Sequence, residues 1–287
     1  MFPSEFDYHR AHNVQDAIEM LGKYEDAKLI AGGHSLLPMM KLRLAQPKVL
    51  IDIGNIAALR GIHADNGTIR IGALTTHYQV ESSDAVKKAA PVITEAEHEL
   101  ADIQVRNRGT VGGNLAHADP ASDLPAVMLA LGAELHAVGP KGERTITADN
   151  FFVDVLTTAL QPNEVLTEVR VPALKAGQGS AYVKHPHPAS HYAVVGVAAV
   201  VTRDASGNCT ECRIGITGAG PKAVRAKAAE AALVGKALTA DNIAAAAAHA
   251  ADGMDFLSDS YASETYRKHL VQVYTKRALS TAAERAK

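Results

Sequence analysis

The spacing of apolar positions changes several times along the chain. Val14, Ala17, Ile18 and Leu21 recur at helical spacing behind Asn13, a good N-cap, with the acidic Asp16 in the first turn. AKLIAGG then predicts a short strand that runs into a Gly-Gly loop. LLPMMKLRLA returns to helical spacing through Leu37, Met40 and Leu44, with Pro38 in a first turn that does not need its N–H. KVLIDI is too short and too β-branched for a helix and predicts a second buried strand. Strand, loop, helix and strand in this order predict parallel pairing.

From Asn55 the pattern shortens. GIHADNGTIRIGALTT predicts a hairpin that turns on Asn66-Gly67. DAVKKAAPVITEAEHEL predicts two helices divided at Pro91, and DLPAVMLALGAELHAVGPKGERTITADNFF a helix from Asp123 followed by two strands. NEVLTEVRVP alternates, with Val165, Thr167 and Val169 facing away from Leu166, Glu168 and Arg170. Periodicity breaks at Pro172, Gly177 and Gly179. Beyond the break, HYAVVGVAAVVTR and CTECRIGITGAG predict antiparallel strands joined at DASGN. Alanine-rich helices follow, the last from Glu264 with Tyr266, Leu270, Val273 and Tyr274 on one face. The expected division is 1–54, 55–175 and 176–287.

Composition narrows the function. A net charge of −2 and the absence of Trp argue against a nucleic-acid binder, which needs a basic footprint or stacking platforms. The N-terminus MFPSEFDYHRAHN has no apolar signal-peptide core, and no apolar run is long enough for a bilayer, so a soluble, cytoplasmic protein is expected. Cys209 and Cys212 form a lone C-x-x-C without a second pair or a His-x-x-x-His to complete four ligands. They are expected to be ordinary packed or exposed thiols.

Neither G-x-G-x-x-G nor G-x-x-x-x-G-K-[ST] is present. The chain instead holds two Gly-Gly loops, Ala31-Gly32-Gly33-His34-Ser35 and Thr110-Val111-Gly112-Gly113-Asn114, with Asp123 and a helix beyond the second. Either loop alone reads as a chain reversal. Together they can present successive backbone N–H groups to one pyrophosphate without Lys or Arg, and neither loop contains one.

AGGHSLLPMMKLR and RNRGTVGGNLAHADPASDLPAVMLALGA resemble the two FAD signatures of the medium subunit of molybdenum hydroxylases. The same signatures occur in the flavin domain of xanthine dehydrogenases, and the resemblance runs to the aerobic carbon monoxide dehydrogenase medium subunits and their relatives. It implies an α+β chain. A two-subdomain FAD-binding fold of the vanillyl-alcohol-oxidase type would be closed over the flavin by a C-terminal antiparallel sheet with helices.

By the same resemblance, Ala31, Gly32, Gly33, His34 and Ser35, with Thr110, Val111, Gly112, Gly113 and Asn114, would wrap the FAD pyrophosphate. Asp123 would accept from ribose or ribityl hydroxyls, and Leu100 and Leu166 would pack against the cofactor's rings. Lys184 would lie at the flavin edge, with Tyr192 beside the isoalloxazine. Read as residues alone, Asp123 is also a helix N-cap, Lys184 a solvated cation and Tyr192 a core aromatic. No catalytic acid–base residue and no metal is expected. His185, His187 and His191 in HPHPASH flank prolines with no carboxylate or cysteine nearby. This segment departs from the basic, proline-free stretch of carbon monoxide dehydrogenases, which weakens carbon monoxide as the substrate.

The implied function is electron transfer. Electrons from an iron–sulfur small subunit would pass through FAD to an external electron acceptor, the substrate being oxidised on a molybdopterin-binding large subunit. A cytoplasmic dimer of heterotrimers is implied, meeting the inner face of the membrane only through partners. The alternative is a stand-alone flavin-dependent oxidoreductase acting on a small organic substrate, although such enzymes are usually longer. A non-catalytic FAD-dependent scaffold is a third class, disfavoured by the intact pair of loops.

Overall fold

The computed structural model describes all 287 residues, and its first unit runs β1 (Asp7–Arg10), α1 (Val14–Lys23), β2 (Ala27–Ile30), α2 (Leu36–Lys41) and β3 (Val49–Asp52). β2 pairs with β3 in parallel, as the sequence predicts, and Asn13 caps α1 by accepting from the Asp16 amide. β1 was not foreseen. Its side chains, DYHR, carry no apolar alternation because it is a half-exposed edge strand held to β3 by backbone bonds. α2 is shorter than its pattern predicts: Arg43 takes a left-handed φ of 59°, the chain reverses, and Leu44 is left 72% exposed. Ala17, Ile18, Ile51 and Ile53 form the small core.

The middle unit opens with β4 (Ile62–Asp65) and β5 (Thr68–Gly72) around Asn66-Gly67. Short helices follow: α3 (His77–Glu81), α4 (Asp84–Ala89), α5 (Pro91–Glu99), α6 (Ile103–Arg106), α7 (Val111–His117) and α8 (Asp123–Leu131). Then come β6 (Glu134–Gly139), β7 (Gly142–Thr147), α9 (Ala148–Phe151), β8 (Phe152–Asp154), β9 (Thr157–Thr158) and β10 (Val165–Pro172). The five-stranded antiparallel sheet has the order β4-β5-β10-β6-β7.

The alternation predicted for β10 fails at one point. A bulge between Leu166 and Glu168, against β6, inserts an extra residue and turns the strand. Leu166 therefore joins Val169 and Val171 in one core, while Val165 joins the core of the first unit.

The last unit comprises β11 (Gln178–Pro186), β12 (Ala193–Arg203), β13 (Cys209–Thr217), β14 (Val224–Arg225), α10 (Lys227–Leu233), α11 (Ala240–Ala247) and α12 (Glu264–Arg285). Its four strands lie in sequence order, paired antiparallel, and α12 packs on β11 and β12. The inward face of α12 is Arg267, Leu270, Val271, Thr275, Ala278, Leu279 and Ala282, not the aromatic face expected. Arg267 is drawn inside because its guanidinium donates to the carbonyls of Val194 and Gly218 and pairs with Asp259; Tyr266 stays outside. Cys209 and Cys212 are buried free thiols. Tyr182, Ala198, Val200 and Ala223 pack into the middle unit's core, so the units share apolar surface. No helix is long and apolar enough to cross a membrane.

Candidate functional site

The first glycine loop touches the chain just ahead of the second glycine segment. A Cβ on Gly32 would overlap the Arg108 carbonyl oxygen, so the first loop lies flat on the chain leading into the second. This close approach requires a glycine. Gly33 meets a different demand, a left-handed φ of 75°. Behind it, the backbone N–H groups of Gly32, Gly33, His34, Ser35 and Leu36 find no acceptor in the protein. The His34 ring turns back to the Gly32 carbonyl at 2.9 Å, and the Ser35 hydroxyl makes no capping bond. A left-handed residue within such a run of free amides forms a concave, partly positive nest, suited to phosphate oxygens without any cationic side chain.

The second segment is not a loop. Thr110 is the N-cap of α7, and Val111, Gly112, Gly113 and Asn114 form its first turn. Their amides are already used: Val111 donates to Thr75 O, Gly112 to Ala73 O, Gly113 to Thr110 Oγ1 and Asn114 to Thr110 O. Successive free N–H groups, expected in both segments, are therefore found in the first and not in the second. The antiparallel bridge between Thr76 and Thr110 consumes the Val111 donor, and Ala73 and Thr110 consume the others. Gly112 is glycine because a Cβ there would overlap Ala73. Gly113 is exposed and meets only the Thr110 hydroxyl. The Asn114 side-chain oxygen accepts from Ser122.

Asp123 is not the N-cap of α8. Ser122 takes that position, and Asp123 begins the helix with its carboxylate turned towards β11. It is 3% exposed. Tyr182 donates to its Oδ1 at 2.5 Å, and Lys184 Nζ lies 2.9 Å from Oδ1 and 3.0 Å from Oδ2. Lys184 also donates to the Glu99 carbonyl, and its side chain is 1% exposed rather than solvated. Burial pushes the Asp123 carboxyl up to about 6, against Lys184 and Tyr182, which favour its charged form; Glu97 adds to the rise. Burial, then the charge of Asp123, holds the Tyr182 phenol well above its ordinary range.

Leu100, at the C-terminal end of α5, and Leu166, re-aimed by the bulge, belong to the same buried cluster. Tyr192 is 46% exposed, not core, and partial burial together with Asp119 and Asp123 raises its phenol. The three histidines of HPHPASH diverge. His185 meets Tyr274 and Tyr266 edge-on, His187 tilts against Tyr261, and His191 takes a left-handed φ of 60° in the turn closed by its bond to His187.

Two features escaped the sequence. Tyr182 had a signal, since it lies two residues before Lys184 and so on the same face of a strand. The buried pair His77–Glu97, at 2.8 Å, had none: it joins α3 to α5 across 20 residues and packs His77 beneath Gly109. A separate polar hollow of about 270 Å³ on the middle sheet, lined by Arg60, Arg70, Arg170 and Glu168 among others, contains none of the expected residues.

The free amides of Gly32–Leu36 suit the oxygens of a diphosphate, and Asp123 and Lys184 form a buried ion pair between α8 and β11. Comparison with known proteins identifies the family. Residues 4–174 match the family described as FAD binding domain in molybdopterin dehydrogenase, and residues 180–282 match the CO dehydrogenase flavoprotein C-terminal domain. The chain is 42% identical to the carbon monoxide dehydrogenase medium chain of Hydrogenophaga pseudoflava, over 98% of each. It is 38% identical to 6-hydroxypseudooxynicotine dehydrogenase complex subunit alpha of Paenarthrobacter nicotinovorans, over 100% of this chain and 97% of the relative. The solved carbon monoxide dehydrogenase of Hydrogenophaga pseudoflava lacking the Mo-pyranopterin moiety superposes with a TM-score of 0.97 at 45% identity, over 100% of both chains.

Proposed function

Because the chain belongs to the family of FAD-binding medium subunits of molybdopterin dehydrogenases, we propose that it carries electrons within such an enzyme. They would arrive from iron–sulfur clusters of a small subunit and leave to an external acceptor, with the substrate oxidised on a molybdopterin-binding large subunit. The observation that carries this reading is the run of unpartnered amides from Gly32 to Leu36, laid against Arg108 in a chain that matches the family over both of its domains. The vanillyl-alcohol-oxidase-type arrangement, with parts at 1–54, 55–175 and 176–287, belongs to the same proposal, as does a dimer of heterotrimers.

Bound FAD supplies the redox chemistry; the chain supplies position and electrostatics. The amides of Gly32–Leu36 hold the diphosphate, and Gly113 leaves the first turn of α7 open to it. Asp123 accepts from a hydroxyl while balancing Lys184, whose buried charge favours electron density at the flavin edge. Leu100 and Leu166 offer apolar walls, and Tyr192 an exposed ring. Relatives named for carbon monoxide and for 6-hydroxypseudooxynicotine resemble this chain almost equally, at 42% and 38% identity. The likeness does not distinguish these substrates, and substrate choice is assigned to the large subunit as part of the same proposal.

Titration of the full-length apoprotein with FAD and FMN tests the reading. FMN lacks the diphosphate, so FAD is expected to bind more tightly by at least tenfold, about 1.4 kcal/mol. Equal affinities would remove the basis for the site. Substrate oxidation by the purified chain without partner subunits would overturn the assigned role.

A further inference from the structure

Alternate residues of β11 fasten the last unit onto α5. The Tyr182 amide donates to Glu95 Oε2 and Lys184 donates to the Glu99 carbonyl, while Arg285 of α12, held by the Ser180 carbonyl of its own unit, pairs with Glu95. Tyr182 alone among them also sends a neutral donor to Asp123. Room for that phenol is made across the sheet. Gly196, paired with Lys184, has no side chain, and a Cβ there would overlap the Tyr182 oxygen. Gly196 is thus glycine for its neighbours, the Tyr182 hydroxyl first and then Thr217 Cγ2 at 2.9 Å, not for its own backbone.

From this geometry we infer that Tyr182 is a positioning residue for the FAD site, holding the Asp123 carboxylate charged and aligned with Lys184. The inference rests on the reading that Asp123 and Lys184 serve FAD. The groups facing Asp123 are Tyr182 and Lys184 of β11 and Glu97 of α5 (itself paired with His77 of α3), with Tyr192, which Asp119 also faces, nearby. Burial and Glu97 both favour a neutral Asp123, so the ion pair persists only through its donors. A phenol O–H stabilises the carboxylate without bringing a second buried charge.

Burial holds the Asp123 carboxyl up at about 6, above the usual carboxylate range, so its proton is lost only as pH rises through about 6. FAD affinity should strengthen over that rise. Removing the phenol oxygen shifts the midpoint upward, by roughly one unit for a lost bond to a charged group.

Tyr182→Phe and Asp123→Asn are to be compared with the parent by FAD titration of the full-length chain from about pH 5 to about pH 9. Tyr182→Phe is expected to weaken binding about fivefold near the parent midpoint, about tenfold at the acid end, and hardly at all at the alkaline end. A purely structural loss would be equal at every pH. Gly196→Ala, which leaves Tyr182 in place but displaces its oxygen, should reproduce the shift; if it fails to fold, Tyr182→Phe decides. Carboxyl 13C NMR titration of Asp123 in the apoprotein reads the same shift without FAD. An unmoved midpoint in Tyr182→Phe overturns the inference. Unchanged FAD binding in Asp123→Asn at every pH overturns the reading of Asp123 beneath it, while the NMR titration still decides the role of Tyr182.

Discussion

Gly32-Gly33 and Gly112-Gly113 each stand at the head of a short helix, yet three of the four glycines answer to two constraints and the fourth to neither. Gly32 and Gly112 are sites of close approach, to the Arg108 carbonyl and to Ala73. Gly33 is conformational, with its φ of 75°. Gly113 is neither: it is exposed and faces only the hydroxyl that caps its own helix. The amides divide in the same way. The first segment keeps five of them free, whereas the second spends its own on Thr75, Ala73 and Thr110. A glycine pair is therefore not a unit of function; where the neighbouring N–H groups go decides what it can bind.

The largest effect should come from a methyl group at the two close-approach positions. Gly32→Ala and Gly112→Ala each place a Cβ on backbone atoms that no side-chain rotation can clear. A loss of about 3 kcal/mol in apoprotein stability, read by chemical denaturation, is expected for each, with FAD retention falling alongside. If both variants lost less than about 1 kcal/mol, the packing half of the comparison would break.

Gly33→Ala should cost less and act more selectively. The left-handed conformation penalises a β-carbon by about 1–2 kcal/mol, and the nearest obstacle is the flexible end of Leu37. Relaxing that strain tilts the free amides, so FAD should weaken roughly tenfold while the apoprotein still folds. Gly33→Asn, which tolerates a left-handed φ better, should recover part of the loss. Equal FAD affinity for Gly33→Ala and the parent would show that the nest is not what holds the cofactor.

Much of this was legible in the sequence. Asn13 capping α1, the parallel β2–β3 pair, the Asn66-Gly67 hairpin and the division at Pro91 each follow from local chemistry. The failures share a cause, because they depend on partners distant in the chain. The second glycine segment became a helix turn through carbonyls near residue 75, and the bulge at Leu166 is defined only against β6. Arg267 faces inward only because carbonyls at Val194 and Gly218 await it. The family resemblance placed Asp123 and Lys184 as candidates, but nothing local reports that a lysine 61 residues away is a carboxylate's partner.

The smallest change in stability, and the sharpest test of the difference between the segments, is Gly113→Ala. Within a helix, alanine is favoured over glycine by about 0.5–1 kcal/mol. Against this, the new Cβ would lie 2.7 Å from Thr110 Oγ1, and turning that hydroxyl away forfeits a cap that contributes about 1 kcal/mol. The two effects oppose each other, so the apoprotein should unfold within about 1 kcal/mol of the parent. FAD binding is the separate measurement. If the diphosphate crosses the open first turn of α7, the methyl group stands in its path, and affinity should fall at least tenfold without a matching loss of fold. Normal affinity in Gly113→Ala, alongside weakened binding in Gly33→Ala, would assign the diphosphate wholly to the amides of Gly32–Leu36 and leave α7 as their support.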